Sequence, residues 1–393
     1  MPSKIIRSIF VLNLLVCSLG YTFSRDVGEL DQEIRVAVFQ NLTDFVLTVQ
    51  GPFSLVELNS GHQLLKSNSF KDVKVSASAD GIMIKDEKYA CTKIQIQPQY
   101  DTTISIKKRK FRGKINIILG ANHRMTVVNV VGLEDYIKGV LYHEVSPRWP
   151  IEALKAQAIA ARTYAIYRIQ HATVDFDVTN DIYSQVYGGK TSERYRTNLA
   201  VNRTQEQVLM YQGKILPAYF HATCAGHTEN VSELWAEHLL PLKGTTCPFC
   251  SNSPHFNWRK NFRLKDIQDK LNQNGFNLGL IKEITILERN ESGRIRRLQI
   301  TTRDGQTAVV SGKDFRNMIG PNIIKSNNYE IVMQGYYMDL IGKGWGHGVG
   351  LCQWGARQMA LEHYSSEEIL QYYYPTAEIV NYQKRPLKFK SLN

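Results

Sequence analysis

The stretch LEDYIKGVLYHEV (residues 133–145) is followed by SPRWP and then by the alanine-rich run IEALKAQAIAARTYA. Apolar residues in the first part recur at helical spacing, at Leu133, Tyr136, Ile137, Val140 and Leu141. Pro150 is tolerated in the first turn of a second helix, which the pattern continues to about residue 169. The sequence therefore predicts two consecutive helices, and the alanines of the second permit close packing on a neighbour.

Glu144 is the first candidate for chemistry, because it lies in the last turn of the first predicted helix. The carbonyl end of a helix carries partial negative charge, which disfavours a carboxylate. Pro147 and Trp149 follow closely and can exclude water from the site. Both effects raise the pKa of a carboxyl group, as a general acid near neutral pH requires. The alternative is an ordinary surface glutamate.

Basic residues mark one face of the second predicted helix. Lys155 and Arg162 are seven residues apart, so they share a face. A positive face beside a carboxyl site would suit an anionic polymer, and the alternative is a solvated helix face. Glu134, Asp135 and Glu152 lie in first helical turns, where acids stabilise the helix dipole, and we interpret them as structural.

A glycine-rich segment, GKGWGHGVGLCQWGA (342–356), superficially resembles a phosphate loop. It lacks the terminal Gly-Lys-Ser/Thr of a nucleotide-binding loop and the spacing of a dinucleotide fingerprint. A tight glycine turn that displays His347, Gln353 and Trp354 in a cleft is the better interpretation. His347 could equally be a structural histidine.

Two short motifs have the spacing of metal ligands: CAGH (224–227) and CPFC (247–250). A single structural Cys₃His zinc site would use Cys224, His227, Cys247 and Cys250. The alternative is a disulfide between the two cysteines of the second motif, with the cysteine of the first left free.

Composition predicts a globular chain with a net positive charge. The charge indicates either an anionic partner or good solubility alone. The 393 residues suggest two or three units at about 150 residues per domain, and 43% are hydrophobic. The formal net charge is +12, but the basic residues are spread along the chain and no nucleic-acid motif is present. Nucleic acid is therefore not expected as a partner. The 20 tyrosines favour a polymer-binding surface.

The first residues predict the compartment. Lys4 and Arg7 precede an apolar run over residues 9–19, which is typical of a signal peptide ending near residue 24. The run is too short to span a membrane comfortably, although an uncleaved N-terminal anchor is an alternative. We therefore expect an extracytoplasmic protein whose membrane contact, if any, is through this segment.

Five cysteines follow the predicted signal peptide, and an odd number argues against a fully paired disulfide framework. It leaves room for a metal site, in which His221 or His255 could replace His227. Alternating apolar residues in EIRVAVF (33–39) are typical of strands, and residues 25–112 form a strand-rich N-terminal region.

With these residues in view, the chain resembles the sporulation stage II protein D family, which includes the amidase-enhancer proteins. The resemblance runs from about Gly113 to Tyr374. Four motifs carry it in order: the two-helix stretch over 133–165, SQVYGG (184–189), YFHATCAGHT (219–228) and GWGHGVGLCQWGA (344–356).

The resemblance implies an α+β fold with two lobes and a central cleft, a catalytic domain over 113–376 and a basic tail over 377–393. It implies a lytic transglycosylase that cleaves peptide-stripped peptidoglycan, with Glu144 as acid and base and no cofactor needed for catalysis. The substrate-binding residues it implies are Lys155, Arg162, Gln185, Tyr187, His347 and Gln353. The family's His/Cys zinc motif is absent, since Val178, Tyr183 and Ser184 stand in its place.

Two other functions stay open on the sequence. One is a non-catalytic module that binds the wall and stimulates a cell-wall amidase, as the amidase-enhancer branch implies. The other is a zinc-ribbon interaction protein whose functional part is residues 224–250.

Overall fold

The computed structural model describes residues 32–100, 102–172, 175–180 and 184–382. The predicted signal peptide (1–24), Tyr183 and residues 383–393 of the predicted tail lie outside these ranges. No helix in the described ranges combines the length and apolarity needed to cross a membrane.

Helices and strands are both abundant. The helices are α1 (Leu133–Glu144), α2 (Ile151–Gln170), α3 (Tyr195–Arg203), α4 (Leu264–Gln273), α5 (Gly312–Ile319), α6 (Gln353–Leu361) and α7 (Ser366–Tyr373). The first strands are β1 (Glu33–Leu42), β2 (Asp44–Glu57), β3 (Gln63–Ser78), β4 (Gly81–Ile84), β5 (Glu87–Tyr89), β6 (Lys93–Pro98), β7 (Thr103–Ile106), β8 (Arg109–Phe111), β9 (Lys114–Leu119), β10 (Met125–Gly132) and β11 (Val178–Thr179). The remaining strands are β12 (Gln207–Tyr211), β13 (Lys214–Ile215), β14 (Phe220–His221), β15 (Asn257–Arg263), β16 (Ile281–Arg289), β17 (Ile295–Thr302), β18 (Thr307–Ser311), β19 (Tyr329–Gln334), β20 (Tyr337–Lys343), β21 (Leu351–Cys352) and β22 (Glu378–Asn381).

The N-terminal half forms one eleven-stranded sheet, and this confirms the predicted α+β class with a strand-rich N-terminal region. The strand order is β11-β1-β10-β9-β6-β2-β3-β4-β5, and β7 joins it through β2 and carries β8. Strand β9 pairs with β6, and β10 pairs with β1. Strands from both sides of the boundary predicted between residues 112 and 113 therefore belong to one sheet. The chain does not divide into two separate units at this position.

The two predicted helices are present as α1 and α2, with ends close to those expected. Helix α1 starts directly after β10 and ends at Glu144, before the Ser146-Pro147 break. Pro150 is the N-cap of α2. Helix α2 is buried on opposite sides, because Leu154 and Ala158 pack in the N-terminal core while Ala156 and Ile159 pack in a second core. The alanines make this double packing possible, since they let neighbours approach closely.

A third hydrophobic core shares no buried residue with the other two. It is built from α4, α5 and the two three-stranded sheets β15-β20-β19 and β16-β17-β18. The predicted catalytic domain over 113–376 therefore contains a separate lobe, over about 257–343. Strand β22 pairs with β12, so the first residues of the predicted tail belong to the folded chain.

Arg162 is a structural residue, contrary to the prediction that it binds substrate. Its side chain is only 1% exposed, and its guanidinium donates to both carboxylate oxygens of Glu134, at 2.7 and 2.8 Å. It also donates to the backbone carbonyls of Val201 and Gln207. The face that Arg162 occupies is covered by α1, α3 and β12, which the spacing of two basic residues cannot reveal.

Lys155 does not line the cleft described below either. Its ammonium lies 2.9 Å from the carboxylate of Glu152, on the same helix. Glu152 also accepts a hydrogen bond from the backbone N–H of Ser366 at the start of α7. The pair therefore joins α2 to α7, a structural role for Glu152 that the sequence had expected only through the helix dipole.

We expect Arg162→Met to lower the free energy of unfolding by about 3 kcal/mol, because it leaves a carboxylate and two carbonyls without their buried partner. The matched variant Lys155→Met breaks a pair that remains accessible to water, so its loss should stay below about 1 kcal/mol. Urea unfolding followed by circular dichroism measures both. Equal losses in the two variants would contradict the structural role assigned to Arg162.

Candidate functional site

A cleft of about 730 Å³ opens where the three cores meet. One wall comes from the end of α1 and residues 145–149, and another from residues 219–222 and 345–354. The third lobe closes it with α5 and the loop that follows. The cleft is thus built by segments far apart in sequence, as expected of a ligand site between lobes.

Glu144 lies at this cleft, and it is the only carboxyl-bearing residue among those described in its lining. Burial raises the pKa of its carboxyl group to about 7. Two hydrogen bonds lower this pKa but have a smaller effect than burial. One comes from Gln353 Nε2 at 3.4 Å, and the other comes from the backbone of Val186. No cation in the described ranges forms an ion pair with it. The protonated form of Glu144 is therefore substantially populated at neutral pH, because the carboxyl group is desolvated and has no cation partner.

Tryptophan rings border the Glu144 carboxyl site. Trp149 and Trp354 meet edge to face with their ring centroids 5.3 Å apart, and both line the cleft. Arg196 donates to the backbone carbonyls of Pro147 and Trp149, so it fixes the turn between α1 and α2. The sequence indicated Trp149, but nothing near the turn identified Arg196, which lies on α3.

The glycine-rich segment brings Gln353 to Glu144. Gly344, Gly346, Gly348 and Gly350 all adopt positive φ, which side chains other than glycine rarely tolerate. A Cβ on Gly346 would lie 2.7 Å from the Cβ of His221, so the close approach requires glycine. The structure places His347, Gln353 and Trp354 together at the cleft, where the sequence expected a displayed turn.

His347 lines the cleft but is held neutral. Burial, aided by Arg316 and Arg294, lowers its pKa to about 3. Its Nδ1 accepts a hydrogen bond from the backbone N–H of Val349 at 3.1 Å. Because its charged form is so disfavoured, His347 cannot act as an acid near neutral pH, and its contact with ligand would be through the ring face or edge.

His221 is a cleft residue that the sequence treated only as a spare metal ligand. Its Nδ1 lies 3.1 Å from the carbonyl oxygen of Val349, so Nδ1 carries the proton and donates. Its Nε2 is buried and has no hydrogen-bond partner. With Nδ1 protonated, this Nε2 carries a lone pair that can accept a hydrogen bond from an N–H or O–H group.

Gln185 and Tyr187 are buried rather than available to substrate, contrary to the prediction. Gln185 accepts a hydrogen bond from the Tyr136 hydroxyl at 3.0 Å, and the Tyr187 hydroxyl donates to Asn129 at 2.8 Å. Both side chains point into the N-terminal core. They anchor the segment on either side of Val186, the residue whose backbone reaches Glu144.

Four cysteines converge, but not in the predicted combination. The sulfur atoms of Cys224, Cys247, Cys250 and Cys352 all lie within 4.8 Å of one another. His227 is outside this cluster, and its Nδ1 lies 2.6 Å from the carbonyl oxygen of Thr228. Cys352 takes the place predicted for His227, because parallel pairing of β14 with β21 brings the glycine-rich segment beside the first motif.

The alternative disulfide is not formed in this structure. All five cysteines in the described ranges are free. His221 and His255, the possible substitutes for His227, also lie outside the cluster.

Comparison with known proteins gives two family-model matches. Residues 121–211 match the model described as stage II sporulation protein, and residues 242–350 match a domain of unknown function. The first match contains Glu144 and the whole of α1 and α2. The second contains the third lobe and most of the glycine-rich segment, so residues of both matched ranges line the cleft.

Similarity to curated relatives extends beyond the residues matched by the family models. An uncharacterized protein of Brachyspira hyodysenteriae is 32% identical over 91% of this chain and 95% of its own length. Stage II sporulation protein D of Bacillus subtilis is 30% identical over 64% of this chain and 75% of its own length. The amidase enhancer of Bacillus subtilis is 26% identical over 92% of this chain and 54% of its own length. The chain belongs to the stage II sporulation protein D family.

Proposed function

We propose that the chain remodels the cell wall as a lytic transglycosylase. It would act outside the cytoplasm and cleave peptide-stripped glycan strands between N-acetylmuramic acid and N-acetylglucosamine. Family membership supports wall remodelling in the setting of sporulation or division. The single observation that carries the specific reaction is one carboxyl group in the cleft, with a pKa raised to about 7.

One carboxyl group is enough for this reaction. Ordinary glycosidases use two carboxyl groups, the second as base or nucleophile. Glu144 has no such partner among the described residues of the cleft lining. A second carboxyl group is not needed when the substrate supplies its own nucleophile. The C6 hydroxyl of the muramic sugar can be that nucleophile.

The proton path follows from the state of Glu144. The protonated carboxyl gives its proton to the glycosidic oxygen as the bond from that oxygen to the muramic C1 breaks, and positive charge develops at C1. The Glu144 carboxylate then takes the proton of the C6 hydroxyl while O6 bonds to C1. The products are a 1,6-anhydromuramic end and a free N-acetylglucosamine end, and Glu144 is protonated again.

The cleft walls carry side chains that could contact both sugars of the strand, the uncharged N-acetylglucosamine and the anionic N-acetylmuramic acid. The rings of Trp149 and Trp354 offer apolar surfaces of the kind that pack against sugars. Lys313, on α5, also lines the cleft, and its ammonium uses one donor on the backbone carbonyl of Leu234. Its other donors suit the lactyl carboxylate of a peptide-free muramic acid, the role that Lys155 and Arg162 do not fill.

A non-catalytic amidase enhancer is the second candidate, since a relative over most of this chain carries that name. Such a module needs the glycan-binding cleft but not the proton of Glu144. Product analysis separates the two functions.

We expect the full chain to release 1,6-anhydro products from peptide-stripped glycan, and Glu144→Gln to lower the rate by about 10²–10⁴-fold because the general acid is lost. The matched control is Asp135→Asn, on the same helix but paired with Lys138 away from the cleft lining, which should keep the wild-type rate. Mass spectrometry identifies the products. The enzyme proposal would be contradicted if neither the wild-type chain nor Glu144→Gln releases anhydro product. If both then stimulate an amidase equally, the chain is an amidase enhancer.

The rate should fall about tenfold per pH unit above pH 7, because only protonated Glu144 can start the reaction. Gln353→Met removes a hydrogen bond that lowers the pKa of Glu144, so the decline should begin at higher pH. Gln358→Met, an exposed change on the same helix, should not move the profile. The test is kcat/KM against pH, and a downward shift with Gln353→Met contradicts the assigned contact.

Lys313→Met should raise KM for peptide-stripped glycan by about tenfold, corresponding to one exposed charge-assisted hydrogen bond. The kcat should change little, since Lys313 would bind the lactyl group rather than the reacting bond. Lys155→Met serves as the matched control and should leave KM unchanged, because its ammonium is paired with Glu152. Steady-state kinetics on stripped strands tests this, and the reverse pattern in the two variants would restore the prediction made from sequence.

A further inference from the structure

The cysteine cluster has the dimensions of a tetrahedral thiolate site. Cys224 and Cys250 have their sulfur atoms 3.5 Å apart, and all four sulfurs lie within 4.8 Å of one another. A tetrahedron with metal–sulfur bonds of about 2.3 Å has sulfur–sulfur edges of about 3.8 Å. A disulfide would require about 2.05 Å. The spacing therefore fits four ligands around one ion.

We propose that Cys224, Cys247, Cys250 and Cys352 bind one zinc ion in a closed structural site. The four residues are at most 1% exposed, so no open position remains for water or substrate. Closed four-sulfur coordination is typical of structural zinc, whereas catalytic zinc keeps a free position. The site is distinct from the carboxyl chemistry, and its presence does not depend on the reaction proposed for Glu144.

Two of the sulfurs lie close to groups that can donate a hydrogen bond to a thiolate. The backbone N–H of Cys224 donates to the sulfur of Cys352 at 3.3 Å. The hydroxyl of Tyr373 lies 3.1 Å from the sulfur of Cys247, where it can donate. Cys352 is the N-cap residue of α6. These contacts orient the ligands from outside the cluster.

A buried arginine contacts the backbone of one of the four cysteines. Zinc with four thiolates carries a net charge of −2, and its binding releases the thiol protons to solvent. Arg294 is 2% exposed, and it donates to the backbone carbonyls of Cys224 and His227. Within the described ranges it forms no ion pair, and its Nε has no hydrogen-bond partner. A buried cation without a carboxylate is costly unless an anionic group lies nearby, and the metal–thiolate cluster provides one.

The zinc would fasten one wall of the cleft. Its ligands come from the turn after β14, from residues 247–250 and from the start of α6. The metal would join Cys224 to Cys352, which are 128 residues apart in the sequence. The residue after Cys352 is Gln353, whose amide reaches Glu144, so the metal holds the segment that contacts the carboxyl group.

Metal analysis of the full chain, purified without added chelator or reductant, tests the proposal. We expect about one zinc per chain, and release of that zinc as about four thiols react with a mercurial reagent. Exchange of zinc for cobalt should give thiolate-to-cobalt charge-transfer bands and the visible bands of a tetrahedral ion. A metal-free chain whose cysteines are paired as disulfides would overturn the proposal, as would iron in place of zinc.

Variants identify the ligands. Cys352→Ser should lower the zinc content at least about tenfold, whereas Cys91→Ser and His227→Ala should keep one zinc per chain. Retention by Cys352→Ser together with loss by His227→Ala would contradict the four-cysteine site and favour the Cys₃His set. If Cys352→Ser does not fold, the cobalt spectrum of the wild-type chain still distinguishes four sulfurs from three sulfurs and one nitrogen.

Discussion

The site depends on one partly buried carboxyl group, that of Glu144, which has no cation partner among the described residues. Among the described residues, the more deeply buried acids Asp177 and Glu229 are neutralised or hydrogen-bonded: Asp177 pairs with Arg35, and Glu229 accepts from Asn290 and Ser292. Glu144 receives only a long hydrogen bond from an amide and one from the backbone. Desolvation of a charge without a partner is costly, so the pKa of this carboxyl group rises to about 7. An acid ready to donate at neutral pH results.

The fold produces this environment by bringing distant segments to the end of α1. Helix α2 packs in two cores at once and so fixes where α1 must end. The glycine-rich segment passes close to His221 and delivers Gln353 from 209 residues away. The third lobe closes the cleft with α5. Stability in the cores and reactivity in the cleft thus arise from the same packing.

Local patterns predicted the elements well and the long-range contacts poorly. Helical spacing gave α1 and α2, and the helix end pointed to Glu144, because both follow from a few neighbouring residues. The role of Arg162 was predicted wrongly, since its burial depends on α3 and β12, which no local spacing describes. Cys352 was missed for the same reason: only the parallel β14–β21 pair brings it to the other cysteines.

The most direct test is a titration of the Glu144 carboxyl group in the full chain. Carbon-13 NMR of glutamate side chains follows each carboxyl signal with pH, and Glu144→Gln identifies the signal by its absence. The account predicts a midpoint near pH 7 for this one residue. A midpoint near the ordinary glutamate value of 4.5 would mean that water or a cation stabilises the carboxylate, and the account of an acid-driven cleft would be contradicted.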